Sequence, residues 1–515
     1  MSTVLIAALS VPLLASLVAL LAGSRPWVGR LGVAAAAAGF LAAGATTVDV
    51  LLHGPVRATL QTGQGTLIAE LGADRLSALL LLLVYGVSTV VQLFALRYLA
   101  CDRRSGWFTA ATGLLTSASA GLMTAGTLIG LAVSWTMAGA ALCLLLATYW
   151  ELPAARDGVR RTVTAFLIGD LALWSAVASI TLLRGNRSLS TLNADLIGNS
   201  STLAVIAALI VVAALSRSAQ LPFHRWLPAT LAAPTPVSAL LHAGVVNAGG
   251  VLLVRLSPIV SGSPVAMGMA FTAGLVSMVY GAVVMLTKSD IKGSLAYSTM
   301  AQMGFMIVTC GLGLSAAAVF HLVGHGFYKA TLFLSSGSAI AKRRQKAARP
   351  PAPALTPARR AAVQLTALLL PAAALYVAAT VVPLHASEHG SAQALLIFTW
   401  ATAAAALLGW LGRSPDARAV VGAGAVLFAA AIGYLAVLGA VTGFLAPAIP
   451  TVTVPSSSAL GIALVAIVLG VLALLRQAPG DGSLGRIQRF IYTKALVAGT
   501  VPAIRLTPQL TGAPR

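Results

Sequence analysis

Apolar runs of about twenty residues, parted by short polar or basic connections, recur from one end of the chain to the other. A run of that length crosses the hydrocarbon core of a bilayer as one helix. The pattern predicts fifteen spans, at 3–23, 28–48, 74–97, 108–124, 126–149, 161–183, 202–216, 235–256, 264–287, 293–312, 315–340, 361–383, 392–411, 417–440 and 457–476. Only Ala125 parts the fourth from the fifth. The expected fold is an all-α polytopic membrane protein with about 14–15 transmembrane helices.

Composition agrees. The chain has 515 residues, 58% apolar and 9% charged, where soluble domains carry about 25% charged residues. The net charge of +21 does not point to nucleic acid, because the basic residues sit between apolar runs and alternate in side. With the N-terminus outside, the cytoplasmic connections hold all but six of the 33 Lys and Arg. The six are Arg57, Arg75, Arg184, Arg187, Arg255 and Lys329. That bias sets the orientation. The first run lacks a basic leader and is followed by Arg25 and Arg30, which favours a retained span over a cleaved signal. Cys101, Cys143 and Cys310 are scattered and read as packing residues.

Polar groups inside the spans narrow the chemistry. FHLVGHGFYKATLFLSS (320–336) places His321, His325 and Lys329 four residues apart, on one helix face. Ionisable groups in a membrane are expensive and usually functional, and a face of protonatable groups one turn apart suits a proton path. Residues 216–250 contain Pro222, Pro228, Pro234 and Pro236, which predict a discontinuous helix. Such breaks mark ion sites in transporters. His242 follows the prolines.

SAQLPFHRWLP and PTPVSALLHAG, with SDIKGSLAYSTMAQMGFM (289–306) and FHLVGHGFYKATLFL, resemble the signature of the antiporter-like membrane subunits. These include the pumping subunits of respiratory complex I, Mrp cation/proton antiporters and the membrane subunit of the DAB inorganic-carbon transporter. The likeness covers roughly residues 70–340. It implies two inverted five-helix repeats, each with a broken helix. The chain then divides into an N-terminal two-helix segment (1–73), the third span plus the first repeat (74–257), the second repeat (264–412) with a basic Pro-rich linker (342–360), C-terminal helices (413–480) and a cytoplasmic tail (481–515). The tail contains the amphipathic stretch RIQRFIYTKAL, expected on the inner membrane surface. The resemblance further implies that His242 joins the half-channels and that His321, His325 and Lys329 form the central relay.

Departures from the pumping subunits are specific. Thr136, not Glu, follows Trp135. Arg217 stands in place of a Lys, and Arg does not give up its proton. The twelfth span has only Pro371 to break it and no ionisable group. The DAB subunit is similar to this chain in PFHRWLP, with His224 and Arg225, and in HAGVVNAGG, with Asn247. That likeness implies an ion-translocating, probably proton-translocating, subunit of an energy-coupled CO2/bicarbonate accumulation complex in a prokaryotic plasma membrane. It implies a large cytoplasmic zinc-dependent, carbonic-anhydrase-like partner, with the zinc and the chemistry in that partner and no cofactor here. The other readings are a pumping subunit of an NADH-quinone oxidoreductase-like, hydrogenase-linked or Mrp-type complex, and a non-conducting scaffold.

Three further positions stay open at this stage. Asp170 is either an ion-path partner of Arg217 or half of a buried pair that fixes packing. Lys288, Asp290 and Lys292 either cap a helix and set topology, or form the proton entrance together with His224.

Overall fold

A computed structural model describes residues 2–61, 67–338, 344–345, 348, 356–382, 389–413, 416–449, 458–477 and 483–500. A helix lies at every one of the fifteen expected places. In the first half these are α1 (Ser2–Ala22), α2 (Val28–His53), α3 (Arg75–Tyr98), α4 (Ser105–Thr124), α5 (Leu128–Leu146), α6 (Pro153–Arg184) and α7 (Ser200–Arg217). The eighth span is interrupted, with α8 (Thr235–Ala243) and α9 (Ala248–Arg255). After the short α10 (Ser257–Val260) come α11 (Pro264–Met285), α12 (Ile291–Gly311) and α13 (Ser315–Leu334). The last helices are α14 (Pro357–Val381), α15 (His389–Leu411), α16 (Ala417–Leu445), α17 (Ser458–Gln477) and α18 (Ser483–Ala498). Among the described residues, eleven spans are long and apolar enough by themselves to cross a membrane; α4, α12, α13 and α17 fall outside that set. The first three carry polar side chains along their length.

Side-chain caps fix several helix starts. Asp74 accepts from Ser77 N at 2.7 Å, Thr127 from Gly130 N at 3.1 Å, and Asp290 from Gly293 N at 2.5 Å. Each satisfies one of the amides that a helix start leaves unpaired.

The interrupted span is the centre of the bundle. Its most apolar window is 94% buried, against 56% or less for the other spans. The prolines act differently from expectation. Pro234 and Pro236 begin α8, where a missing amide costs nothing. The break comes later, at Gly244, with φ −120° and ψ −72°, and a 3₁₀ turn over Val245–Asn247. Asn247 Nδ2 donates to Ala243 O at 2.7 Å and so satisfies a carbonyl released there. In the second half Pro371 lies inside α14 without ending it, so the interruption expected there is a proline position within one helix.

The segment 54–73, grouped above with the first two helices, contains an antiparallel hairpin: β1 (Val56–Gln61) and β2 (Leu67–Ala73). Its outer edge is paired further. Leu71 bridges Ala125 and Thr127 bridges Ser188, while Gly126 N donates to Glu70 O at 2.8 Å. Pairing of this kind protects a sheet edge and explains why a three-residue connection suffices between α4 and α5. Of the Pro-rich linker, residues 357–360 open α14; most of 342–356, like 450–456 of the long loop and 501–515 of the tail, lies outside the described residues.

Asp74 and Arg255 lock this hairpin end. Arg255 Nη1 donates to Asp74 Oδ2 at 2.7 Å and Nη2 to Met123 O at 3.0 Å. Burial alone would raise the Asp74 pKa, but Arg255 and the Ser77 bonds outweigh it and hold the carboxyl below its ordinary value. A depressed carboxylate pKa gives stability that is complete above the unfolded value, about 3.9, and is lost as pH falls through the folded value. Asp74→Asn is therefore expected to lower stability at neutral pH by about 2 kcal/mol and to flatten the acid limb of a melting-temperature series in detergent.

Candidate functional site

Ionisable and hydroxyl side chains of α8, α12 and α13 meet inside the bundle. α13 presents His321, His325 and Lys329 on one face, as their spacing predicts. The rings of His321 and His325 lie 5.9 Å apart and nearly parallel, at 24°. His325 is 3% exposed and Lys329 0%, whereas His321 is half-buried with Phe305 at its edge, 5.0 Å away. Lys329 Nζ donates to Ser298 Oγ at 2.8 Å. Among the described residues no carboxylate pairs with it. A buried ammonium held by a hydroxyl alone has no fixed counter-charge to retain its proton.

His242, the penultimate residue of α8, reaches the same part of α12. Its Nδ1 lies 3.0 Å from Thr299 Oγ1, and its ring stacks on Phe333 at 4.3 Å and 14°. The Thr299 hydroxyl already donates to Leu295 O at 2.9 Å. It must therefore accept from His242, which sets the Nδ1–H tautomer and leaves Nε2 as the proton acceptor. Adjacent residues of α12, Ser298 and Thr299, thus hold the lysine of one helix and the histidine of another. Sequence reasoning quoted this stretch without singling out either hydroxyl. The available signal was a polar pair within an otherwise apolar run.

The second charged group in the bundle is closed on itself. Arg217, 1% exposed, donates to Asp170 Oδ1 at 2.8 Å and to Trp135 O at 3.1 Å. Trp135 Nε1 donates to the same Asp170 oxygen at 2.8 Å. The guanidinium lies over Trp135 at 4.3 Å and over Phe166 at 4.1 Å. Gly139 makes room for it, since a Cβ there would sit 2.9 Å from Nη1. Thr136, where pumping subunits carry a Glu, accepts from Trp174 Nε1 at 3.1 Å. This is a stacked, paired fixed charge.

The remaining predicted residues gather at the end opposite the hairpin. His224 sits in the 3₁₀ segment Phe223–Ala232, half-buried, with its ring 5.1 Å from that of Tyr280. Asp290 caps α12. Lys292 Nζ donates to Ala233 O at 3.0 Å, joining α12 to the start of the interrupted span. Lys288 lies over the Tyr297 ring at 5.0 Å and donates to Gly499 O; Tyr280 Oη donates to Ala498 O at 3.1 Å. The amphipathic α18 is thereby strapped onto α11 beside His224. Capping and strapping account for the bonds of Lys288, Asp290 and Lys292, and His224 is the group here whose Nδ1 lacks a protein partner.

Comparison with known proteins places this arrangement. The family described as NADH:quinone oxidoreductase/Mrp antiporter, TM, matches residues 125–350, and the complex I chain 5 N-terminus family matches residues 60–109. The chain belongs to the antiporter-like membrane subunits. This antiporter-like subunit is 36% identical over 356 residues to the probable inorganic carbon transporter subunit DabB1 of Halothiobacillus neapolitanus, covering 66% of this chain and 64% of the relative. It is 34% identical over 286 residues to NAD(P)H-quinone oxidoreductase chain 5 of Synechocystis sp., covering 54% of this chain and 42% of that one. It therefore spans less than two thirds of either relative's length. The structure is similar to a chain of the Mrp complex from Dietzia sp. DQ12-45-1b, with TM-score 0.60, 25% identity, and coverage of 97% of this chain and 60% of that chain. It also has the fold of a chain of an archaeal membrane-bound sulfane sulfur reductase, at TM-score 0.59 and 17% identity, covering 97% and 99%. Structural likeness thus extends past residue 361, where the sequence offered hydropathy alone.

Proposed function

We propose that this antiporter-like subunit conducts protons along the His242, Lys329, His325 and His321 face, and that it does so for a complex that accumulates inorganic carbon. One observation carries the conduction reading: a buried lysine without a paired carboxylate, beside two buried histidines, on helices that meet at Ser298 and Thr299. His224 is the entrance group, on the cytoplasmic side that the basic connections mark. His242 receives at Nε2, and the α13 face completes the transfer. Arg217 and Asp170 hold the first half rigid and bias the field along the path. The chemistry belongs to a partner, a zinc-dependent, carbonic-anhydrase-like subunit on the cytoplasmic face; among the described residues no group of three or more His, Cys, Asp or Glu side chains could hold a metal ion.

The carbon reading is supported by the likeness to DabB1 and by the substitutions at Thr136 and Arg217. The likeness to the quinone oxidoreductase chain favours a second reading, in which redox chemistry elsewhere drives the same path. Growth of a carbonic-anhydrase-deficient cell at ambient CO2 separates them. Co-expression of this chain with its carbonic-anhydrase-like partner is expected to restore growth, and Lys329→Ala is expected to abolish the rescue. Failure of the assembled native pair to rescue contradicts the carbon reading and favours the redox-driven one.

A further inference from the structure

A cavity of about 50 Å³ lies between α3, α4, α13 and the break in the eighth span. Its walls are mainly aliphatic, Leu83 and Leu322 among them, and its polar lining includes Ser88, Thr116 and Asn247. It adjoins the relay directly. A Cβ on Gly326 would meet Leu83 Cδ1 at 2.9 Å and Ala243 O at 3.0 Å. Glycine at that position lets α13 lie against two residues of the cavity wall, next to His325 in sequence.

Two polar groups point to what the cavity takes. Asn247 Oδ1 and both ring nitrogens of His325 have no protein hydrogen-bond partner, and each residue is 3% exposed. Imidazole always carries at least one N–H donor, and buried polar atoms are nearly always satisfied, by protein or by water. The space admits more than one water. Its polar side has a defined sense. Thr116 Oγ1 donates to Thr112 O at 2.8 Å, so Ser88 Oγ, 2.8 Å away, donates to Thr116 while accepting from Gln92 Nε2 at 3.2 Å. With both hydroxyl protons committed, Ser88, Thr116 and Asn247 Oδ1 offer lone pairs only. Three acceptors around one space favour a species rich in O–H donors.

We propose that this cavity is a water site that accepts the proton from His325, held there as hydronium by Asn247, Ser88 and Thr116. It is an outlet from the relay toward the hairpin end. The N–H bond of the imidazolium breaks, the proton joins a water lone pair, and the ring returns to its neutral form. The proton then passes on past Met123, which also lines the cavity and whose carbonyl accepts from the Arg255 lock. The outlet rests on the conduction reading above; the water site itself does not.

Radiolytic footprinting of the intact complex in ¹⁸O-labelled water tests both parts. In the native protein Met123 is expected to take up ¹⁸O several-fold more than the equally core-placed Met303. In Asn247→Leu, which fills the site, Met123 labelling falls to the Met303 level and proton flux into liposomes falls about tenfold or more, the loss of one or two buried hydrogen bonds to the transferred proton. Ser88→Val, nearly isosteric, gives the same result if Asn247→Leu does not assemble. Equal labelling of Met123 and Met303 in the native protein overturns the site. Labelling lost with flux unchanged overturns the outlet. Native labelling without any native flux contradicts the conduction reading and supports the water site alone.

Discussion

Lys329→Met is expected to lower proton flux by at least ~100-fold, the range in which a positioned proton carrier matters, while the bundle folds and assembles. Methionine matches the length of lysine and needs no hydration, so the melting temperature in detergent should hold or rise. The other bonds of the site do not depend on the ammonium: His242 keeps Thr299 and Phe333. A variant that melts like the native protein and conducts nothing separates conduction from folding. A purely packing role for Lys329 predicts the reverse, lost stability with flux in proportion to the protein that remains.

Asp170→Asn is expected to act through stability. It removes the only carboxylate paired with a guanidinium that is 1% exposed. Breaking a buried pair by deleting one partner costs about 3–5 kcal/mol, because the other charge stays buried and uncompensated. Arg217→Met in the same chain removes that charge, so the double variant should recover much of the loss. Melting temperatures of the two single variants and the double variant form the test, as a double-mutant cycle. Additive losses would show that the two residues do not act as a pair, and a loss of flux without a loss of stability would make Asp170 part of the ion path.

What the sequence disclosed follows from period and from membrane physics. Runs of about twenty apolar residues give spans without ambiguity, so a helix stands at each expected place. The stripe on α13 was legible because a four-residue spacing maps onto one face whatever surrounds it. The hairpin at 56–73 was not, because β1 carries arginine and glutamine and gains its pairing from β2 and from the distant α4–α5 connection. The break at Gly244–Asn247 was attributed to prolines, whose effect is local and certain. In this chain they start the helix, and a glycine with a self-bonding asparagine ends it. Ser298 and Thr299 escaped notice for a related reason. A hydroxyl in an apolar helix can bond its own backbone, as Thr299 does with Leu295, and only the approach of α8 and α13 gives it a second partner. Arg217 and Asp170 were paired correctly from adjacent spans, yet the aromatic stack that encloses the arginine depends on three helices.

The central claim is that Lys329 releases and regains a proton within the membrane. Voltage-driven proton flux into liposomes, measured for the intact complex with native Lys329 and with Lys329→Arg at matched assembly, tests it most directly. Arginine keeps the positive charge and nearly the same reach but does not deprotonate. The account predicts flux for lysine and none above background for arginine; flux within about twofold of native for the arginine variant, far inside the hundredfold span of proton-carrier effects, would contradict it.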